Sequence, residues 1–302
     1  MPVFNFPFKA MACPCEIQIV APGEVVAQAA SARAVAEVQR IENKYSRYRP
    51  DSIISRINRA AGSGKAVSCD DETQWLLGFA DTLFAASDGL FDITAGILRQ
   101  AWNFSVPRVP SAEELAPLLE KIDWSLVERS GRKVSLPLAG MEIDFGGFGK
   151  EYAADRAADA LIAEGVTSGY VNLGGDIRVI GPQPDGQPWV IGVQNPRAKE
   201  QIVASIPLYD GGLATSGDYE KFFEVDGCRY CHVLNPKSGL PVRFWQSVSI
   251  QAPRALAAGS ATTIAMLKER DGVEFLKNTG FVYLAIDNSG RLYNNDLPEN
   301  QT

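Results

Sequence analysis

Met141-Glu142-Ile143-Asp144-Phe145-Gly146-Gly147-Phe148-Gly149-Lys150-Glu151 is the stretch on which the fold of this 302-residue chain turns. Met141-Glu142-Ile143 reads as a strand, the glycines after it as a tight turn. A helix is expected over about 148–165. Free backbone amides at a helix start favour an anion, and Lys150 adds positive charge there. The stretch is not a Walker A loop. Glu151, not Ser or Thr, follows the lysine, and Asp144 stands where the first glycine belongs. It is not a clean G-x-G-x-x-G either.

Upstream of this stretch the pattern is mostly helical. Residues 3–21 alternate like strand, clearest at Glu16-Ile17-Gln18-Ile19-Val20. In 24–48, Ala27, Ala30, Ala34, Val38, Ile41 and Tyr45 recur at steps of three or four, one face of a long helix. A short helix is expected at 51–60, two more within 71–102 separated by Ser87-Asp88-Gly89, and one from the capping box at Ser111 to about Ile122. Downstream, glycine-rich turns punctuate β-like runs at 170–181, 188–195, 201–208, 228–234, 246–251 and 281–286. Helices interrupt them at 255–268 and 271–278. These readings predict an α+β fold: a single compact unit over 1–302 with a mixed β-sheet core and flanking helices. An N-terminal helical lobe packs against the sheet, and 1–125 and 126–302 are the finest division.

Composition narrows the function. The chain is 46% hydrophobic and 22% charged, which argues against disorder. Its net charge is -7 and no Lys/Arg block stands out, so nucleic acid is not an expected partner. Nowhere do about 18 apolar residues run together, so no membrane span is expected. The start Met1-Pro2-Val3-Phe4 lacks a signal-peptide pattern, and a cytoplasmic location is the expectation. Five cysteines (Cys13, Cys15, Cys69, Cys228 and Cys231) fit reduced thiols better than a disulfide framework.

Five stretches carry more glycine and polar residues than a core requires: 87–94, 144–150, 172–176, 214–220 and 232–239. Singly, each reads as a turn. Together, in order, they resemble the FAD:protein FMN transferases, the ApbE-like family long labelled thiamine-biosynthesis lipoproteins. Lys9-Ala10-Met11-Ala12 is similar to that family's Met-Gly-Thr segment. Tyr45 through Asn58 is similar to its Ser-x-Tyr and Ser-x-Ile-Ser-x-Leu-Asn block. Gly89 through Gly96, followed by Trp102, matches its Phe-Asp-Ile-Thr block. Asp144–Lys150 and Asn172-Leu173-Gly174-Gly175-Asp176 match its two Gly-Gly motifs. Ser216-Gly217-Asp218-Tyr219-Glu220 and His232 through Gly239 complete the set.

The resemblance implies an FAD cleft with the pyrophosphate held by Mg²⁺, and an acceptor flavoprotein whose Thr or Ser hydroxyl takes the FMN. It places Met11 and Tyr48 on the flavin, since a tyrosine face can stack on a flat ring. Thr94, Gly96, Asp144, Asp176, Ser216 and Ala258 join the FAD-binding set. Lys150 approaches the phosphates or the residues holding them. The Gly149 carbonyl and Thr263 stand at metal-ligand positions. His232, the sole histidine, stands where the family deprotonates the acceptor hydroxyl, a task suited to a pKa of ~6.5.

Three departures accompany this match. The family's Ala-Asp-x-x-x-Thr block reads Ala258-Gly259-Ser260-Ala261-Thr262-Thr263, so the metal-binding Asp is Gly259. A hard Mg²⁺ ion wants carboxylate oxygens. Asn235 stands for a usual Asp, and Glu151 for a frequent Gly. An FAD carrier or sensor, or an FAD pyrophosphatase without transferase activity, is therefore the alternative. Separately, Cys228-Arg229-Tyr230-Cys231-His232 spells the C-x-x-C-H pattern of haem attachment. In an extended strand, however, positions i and i+3 point to opposite faces. Cys13 and Cys15, at i and i+2, share a face.

Overall fold

The computed structural model describes residues 1–295. The strands are β1 (Val3–Ala10), β2 (Cys13–Val20), β3 (Val67–Ser68), β4 (Glu128–Ser130), β5 (Lys133–Ser135), β6 (Gly169–Leu173), β7 (Asp176–Gly181), β8 (Trp189–Asn195), β9 (Ala198–Leu208), β10 (Gly211–Gly217), β11 (Phe222–Val225), β12 (Cys228–Cys231), β13 (Trp245–Ala252), β14 (Val282–Asp287) and β15 (Leu292–Asn294). The helices are α1 (Glu24–Tyr45), α2 (Ile53–Arg59), α3 (Asp71–Ala86), α4 (Ala112–Leu119), α5 (Gly149–Ala163), α6 (Ala255–Leu267) and α7 (Gly272–Asn278).

An eight-stranded sheet in the order β1-β2-β6-β7-β10-β13-β14-β15 forms the centre. The α+β class is as expected, but the sheet is not mixed: every pairing between its neighbours is antiparallel. Two-residue turns require this for β1–β2 and β6–β7, because such loops can join only antiparallel neighbours. The run 170–181 is two strands, with Leu173 paired to Asp176 across Gly174-Gly175. Both glycines have positive φ, +62° and +98°, as a primed turn requires.

Helices α1, α5 and α6 cover one face of the sheet. The predicted face of α1 is the buried one: Ala27, Ala30, Ala34, Val38, Ile41 and Tyr45 all lie in the core. They pack with Ile17, Ile19, Val171, Val248 and the alanines of α5 and α6. On the other face the β8–β9 hairpin lays Trp189, Val193, Ile206 and Leu208 over Ile177, Val179 and Leu213. Strand β7 therefore sends its apolar residues to the hairpin, while Asp176 and Arg178 reach α5 through Lys150 and Asp155.

Two local expectations change. Met141–Ile143 is extended and fully buried at both apolar positions, yet it forms no ladder. The Asn58 side chain replaces a strand partner: its Nδ2 donates to the Ile143 carbonyl at 2.9 Å and its Oδ1 accepts from the Ile143 amide at 2.8 Å. The second helix expected within 71–102 is a 3₁₀ segment, Ile93–Gln100, capped by Asp92. The β1 and β2 strands belong to the main sheet, so the first twenty residues are built into the same core as the second half.

Candidate functional site

The primed turns of β1–β2 and β6–β7 sit side by side at one end of the sheet, because β2 pairs with β6 and the Gly174 amide donates to the Pro14 carbonyl at 3.1 Å. Met11 and Ala12 form the first turn with φ of +51° and +60°. Neither is glycine, so the surrounding sheet holds a strained backbone there, about 1–3 kcal/mol per residue. The second turn cannot carry a side chain: a Cβ on Gly174 would lie 2.9 Å from the Cys13 sulfur and 3.7 Å from Lys150 Nζ.

Lys150 rises into this corner from the first turn of α5. Its Nζ lies 2.7 Å from Asp176 Oδ2, on the first residue of β7. Burial alone would lower the Lys150 pKa, but the Asp176 and Glu151 charges and the Asp176 hydrogen bond together outweigh it and the ammonium is stabilised. Burial pushes the Asp176 carboxyl up, opposed by Lys150 and by the Thr215 backbone amide. Cys13 faces the same corner, with its sulfur 3.7 Å from that of Cys15. The Cys15 thiol and, less strongly, Lys150 bring the Cys13 thiol down to about 7.

Hydroxyls from β10 and α6 adjoin the pair. Ser216 Oγ is 2.8 Å from Thr262 Oγ1 and 3.5 Å from Thr263 Oγ1. Thr262 in turn donates to the Gly259 carbonyl at 2.8 Å. Glu151 is buried against Gly259, and burial, with Asp176 adding to it, pushes its carboxyl up to about 8. Glu151 Oε2 and Ser260 Oγ have no hydrogen-bond partner among the described residues. Gly149 opens α5, two residues before Glu151. Among the described residues no three His, Cys, Asp or Glu side chains form a metal cluster; the oxygens here are a mixed set.

A second group forms around Asp144. Arg47 Nη1 lies 3.0 Å from Asp144 Oδ2 and donates to the Gly96 carbonyl at 3.0 Å. Gly96 must be small, since a Cβ would lie 2.7 Å from that of Asp144. Next to Arg47, Tyr48 is 79% exposed, with the guanidinium over its ring at 5.2 Å. Tyr45, not Tyr48, is the aromatic that α1 buries at its end. Thr94 is fully buried and donates to Asp92 Oδ1 at 2.6 Å, so its hydroxyl braces the 3₁₀ segment. Ala258 is likewise fully buried within α6.

His232 follows β12 and is exposed, its backbone amide donating to the Lys221 carbonyl at 3.0 Å. The dense protein around it, with Lys221 and Lys150, disfavours the imidazolium and lowers its pKa. The loop after it is a built turn. Asn235 Oδ1 accepts from the Lys237 and Ser238 amides at 2.9 and 3.3 Å, bonds that an aspartate would make equally. Trp102 Nε1 ties this loop to the 90s segment through the Gly239 carbonyl at 2.7 Å. Cys228 is exposed and Cys231 buried, so the two thiols of the haem-like pattern point to opposite faces. A surface depression of about 450 Å³ between Phe84, Asp88, Gly89 and Lys237 shares no residue with the Lys150 corner.

Sequence reasoning missed three contributors. Arg47 reads as one polar residue of a helix end, and only the fold pairs it with Asp144. Cys13 reads as a small buried residue, and Lys150 reaches it only through the β6–β7 turn. Asp155 belongs to no motif in the sequence, yet its carboxylate accepts the Ala255 and Leu256 amides, both at 3.0 Å, and caps α6 from α5.

Comparison with known proteins adds the family. The sequence profile of the ApbE family matches residues 11–284. The chain is 32% identical to the FAD:protein FMN transferase of Treponema pallidum over 268 residues, 79% of this chain and 74% of that one. It is 30% identical to the Vibrio cholerae protein of the same name over 245 residues, covering 78% and 72% of the two chains. Among solved structures, the ApbE protein of Thermotoga maritima superposes with a TM-score of 0.88 at 32% identity over 98% of this chain and 97% of that one. The flavinyl transferase ApbE of Pseudomonas stutzeri superposes at 0.86 with 28% identity, over 98% and 95%.

Proposed function

The chain belongs to the ApbE family, and we propose on that premise that it is an FAD:protein FMN transferase. It takes FAD and an acceptor protein, forms a phosphoester between FMN and an acceptor Thr or Ser, and releases AMP. The observation that carries this reading is the convergence of the family's separate blocks, Met11, Lys150, Gly174–Asp176 and Ser216, at one end of the sheet.

Each residue has a task. Tyr48 offers an exposed ring for the flavin to stack on. The Lys150 ammonium, held by Asp176, lies beside the free amides of the α5 start, where diphosphate charge is favoured. His232, disfavoured as the cation, is ready to accept the acceptor's proton. The acceptor oxygen then bonds to the FMN phosphorus as the bond to the AMP oxygen breaks. The unpartnered buried oxygens of Glu151 and Ser260 lack an electropositive partner, which supports a magnesium ion at this point. The Gly149 carbonyl and Thr263 hydroxyl are the family's positions for holding it. When bound, it supplies neutralisation of the diphosphate charge.

The test incubates the protein with FAD, Mg²⁺ and a flavoprotein acceptor domain. Mass spectrometry of the acceptor and AMP quantitation are read together. One FMN added per AMP released is expected. AMP released with an unmodified acceptor would establish a pyrophosphatase instead, and an absence of FAD binding would overturn the reading altogether.

A further inference from the structure

Gly259 is small because Glu151 fills its place. A Cβ built on Gly259 would lie 2.5 Å from Glu151 Cγ and 2.7 Å from its carboxylate carbon. No side chain can stand on α6 at that point while Glu151 keeps its conformation. The carboxylate therefore occupies the space that a residue 259 side chain would otherwise occupy.

A second contact between the same helices agrees with this register. Asp155 on α5 accepts the amides of Ala255 and Leu256, the first residues of α6. Glu151 lies four residues before Asp155, and Gly259 four residues after Ala255. Asp155 meets Ala255 and Glu151, one helical turn earlier, meets Gly259, one turn later, so α5 and α6 run in opposite directions at this contact. One further turn of α6 reaches Thr263, on the same face as Gly259. Glu151 is itself in the first turn of α5, two residues after Gly149.

Glu151 is only 7% exposed, and its Oε2 has no protein partner among the described residues. A buried carboxylate oxygen without a donor is costly unless a proton or a cation meets it. Lys150 Nζ is engaged by Asp176, 2.7 Å away. Ser260 Oγ, on the residue after Gly259, is buried and unpartnered as well.

We infer that Glu151 supplies from α5 the acidic metal ligand that Gly259 cannot supply from α6, so that the divalent-cation site is rebuilt across the helix pair. The two departures, Glu151 and Gly259, are then one exchange: the carboxylate has moved from one helix to its neighbour, and the glycine has moved the other way. This inference rests on the FAD–metal reading of the site. Mg²⁺ bound through one or two carboxylates plus substrate phosphates is an ordinary arrangement for that ion.

Mn²⁺ binding to the protein–FAD complex, followed by the loss of the free-ion electron paramagnetic resonance signal, tests it. FAD affinity in EDTA is measured in parallel by flavin fluorescence. Glu151→Gln, which keeps shape and removes the ligand charge, is expected to weaken Mn²⁺ by at least about tenfold while FAD binding in EDTA persists. The exchange variant Glu151→Gly/Gly259→Asp is expected to regain Mn²⁺ affinity to within about threefold of the parent. It also covers the case in which E151Q fails to fold. Equal Mn²⁺ affinity in the parent and in E151Q, or a folded exchange variant that binds no Mn²⁺, overturns the inference and leaves the FAD reading standing. Parent protein that binds no FAD overturns the FAD reading itself.

Discussion

Lys150 and Asp176 form a buried ion pair, Nζ to Oδ2 at 2.7 Å, that joins the start of α5 to the start of β7. Removing one partner leaves the other charge uncompensated, at a cost of about 3–5 kcal/mol for a fully buried pair. Lys150 is one-third exposed, so Lys150→Met is expected at the lower end, about 3 kcal/mol, by urea unfolding. The double variant Lys150→Met/Asp176→Asn should recover most of that loss. A single variant as stable as the parent would mean that the pair is not structural.

Tyr48 separates binding from stability. Its ring is 79% exposed, so Tyr48→Ala should leave unfolding within about 0.5 kcal/mol of the parent. Loss of an aromatic face from a flat ligand costs about 0.5–1.5 kcal/mol, so FAD affinity should fall roughly two- to tenfold. Tyr48→Phe should keep it. Unchanged FAD affinity in the alanine variant would move the flavin elsewhere.

His232 sets the acid limb of turnover. Its pKa is lowered by the protein around it and by Lys221, so the neutral, proton-accepting form persists below the usual range. The acid limb of kcat/KM should therefore lie below the ~6.5 of a free imidazole. His232→Asn should lower kcat by about 10²–10⁴ with FAD affinity retained. An acid limb above pH 7 would contradict the assignment.

Cys13 is the thiol whose pKa the fold lowers. The Cys15 S–H and Lys150 bring it down to about 7, whereas Cys15 is pushed far up by its hydrogen bond to Cys13 and by burial. Alkylation by iodoacetamide, mapped by mass spectrometry, should reach its half-maximal rate near pH 7 at Cys13 alone. Cys15→Ala should move that midpoint upward. A midpoint unmoved by the substitution would assign the shift to Lys150.

Asp70 couples stability to acid pH. It caps α3, accepting the Thr73 amide at 3.0 Å, and lies 2.5 Å from Lys44 Nζ. Burial would raise its pKa, but Lys44 and Thr73 outweigh it and take it from 3.8 to about 2. The folded value is below the unfolded one, so its contribution is present above pH 4 and lost as pH falls toward 2. Asp70→Asn keeps an acceptor at the cap. Thermal unfolding of parent and variant from pH 5 to 2 should therefore converge at the acid end, and parallel curves would exclude Asp70 as the source.

The helices were legible because their periodicity is local. The buried stripe of α1 runs from Ala27 to Tyr45 as its spacing requires, and the Ser111 capping box starts α4. The order of the glycine-rich blocks likewise carried the family, since each block keeps its residues in sequence. What sequence could not supply were relations between segments far apart in the chain. Met141–Ile143 has the pattern of a strand, but the Asn58 side chain, 85 residues away, takes the place of a pairing strand. Glu151 and Gly259 read as two separate losses. They become one compensating pair only when the Asp155 cap sets α5 against α6, because a carboxylate's value depends on the space and the unpaired oxygens around it, and those come from the other helix.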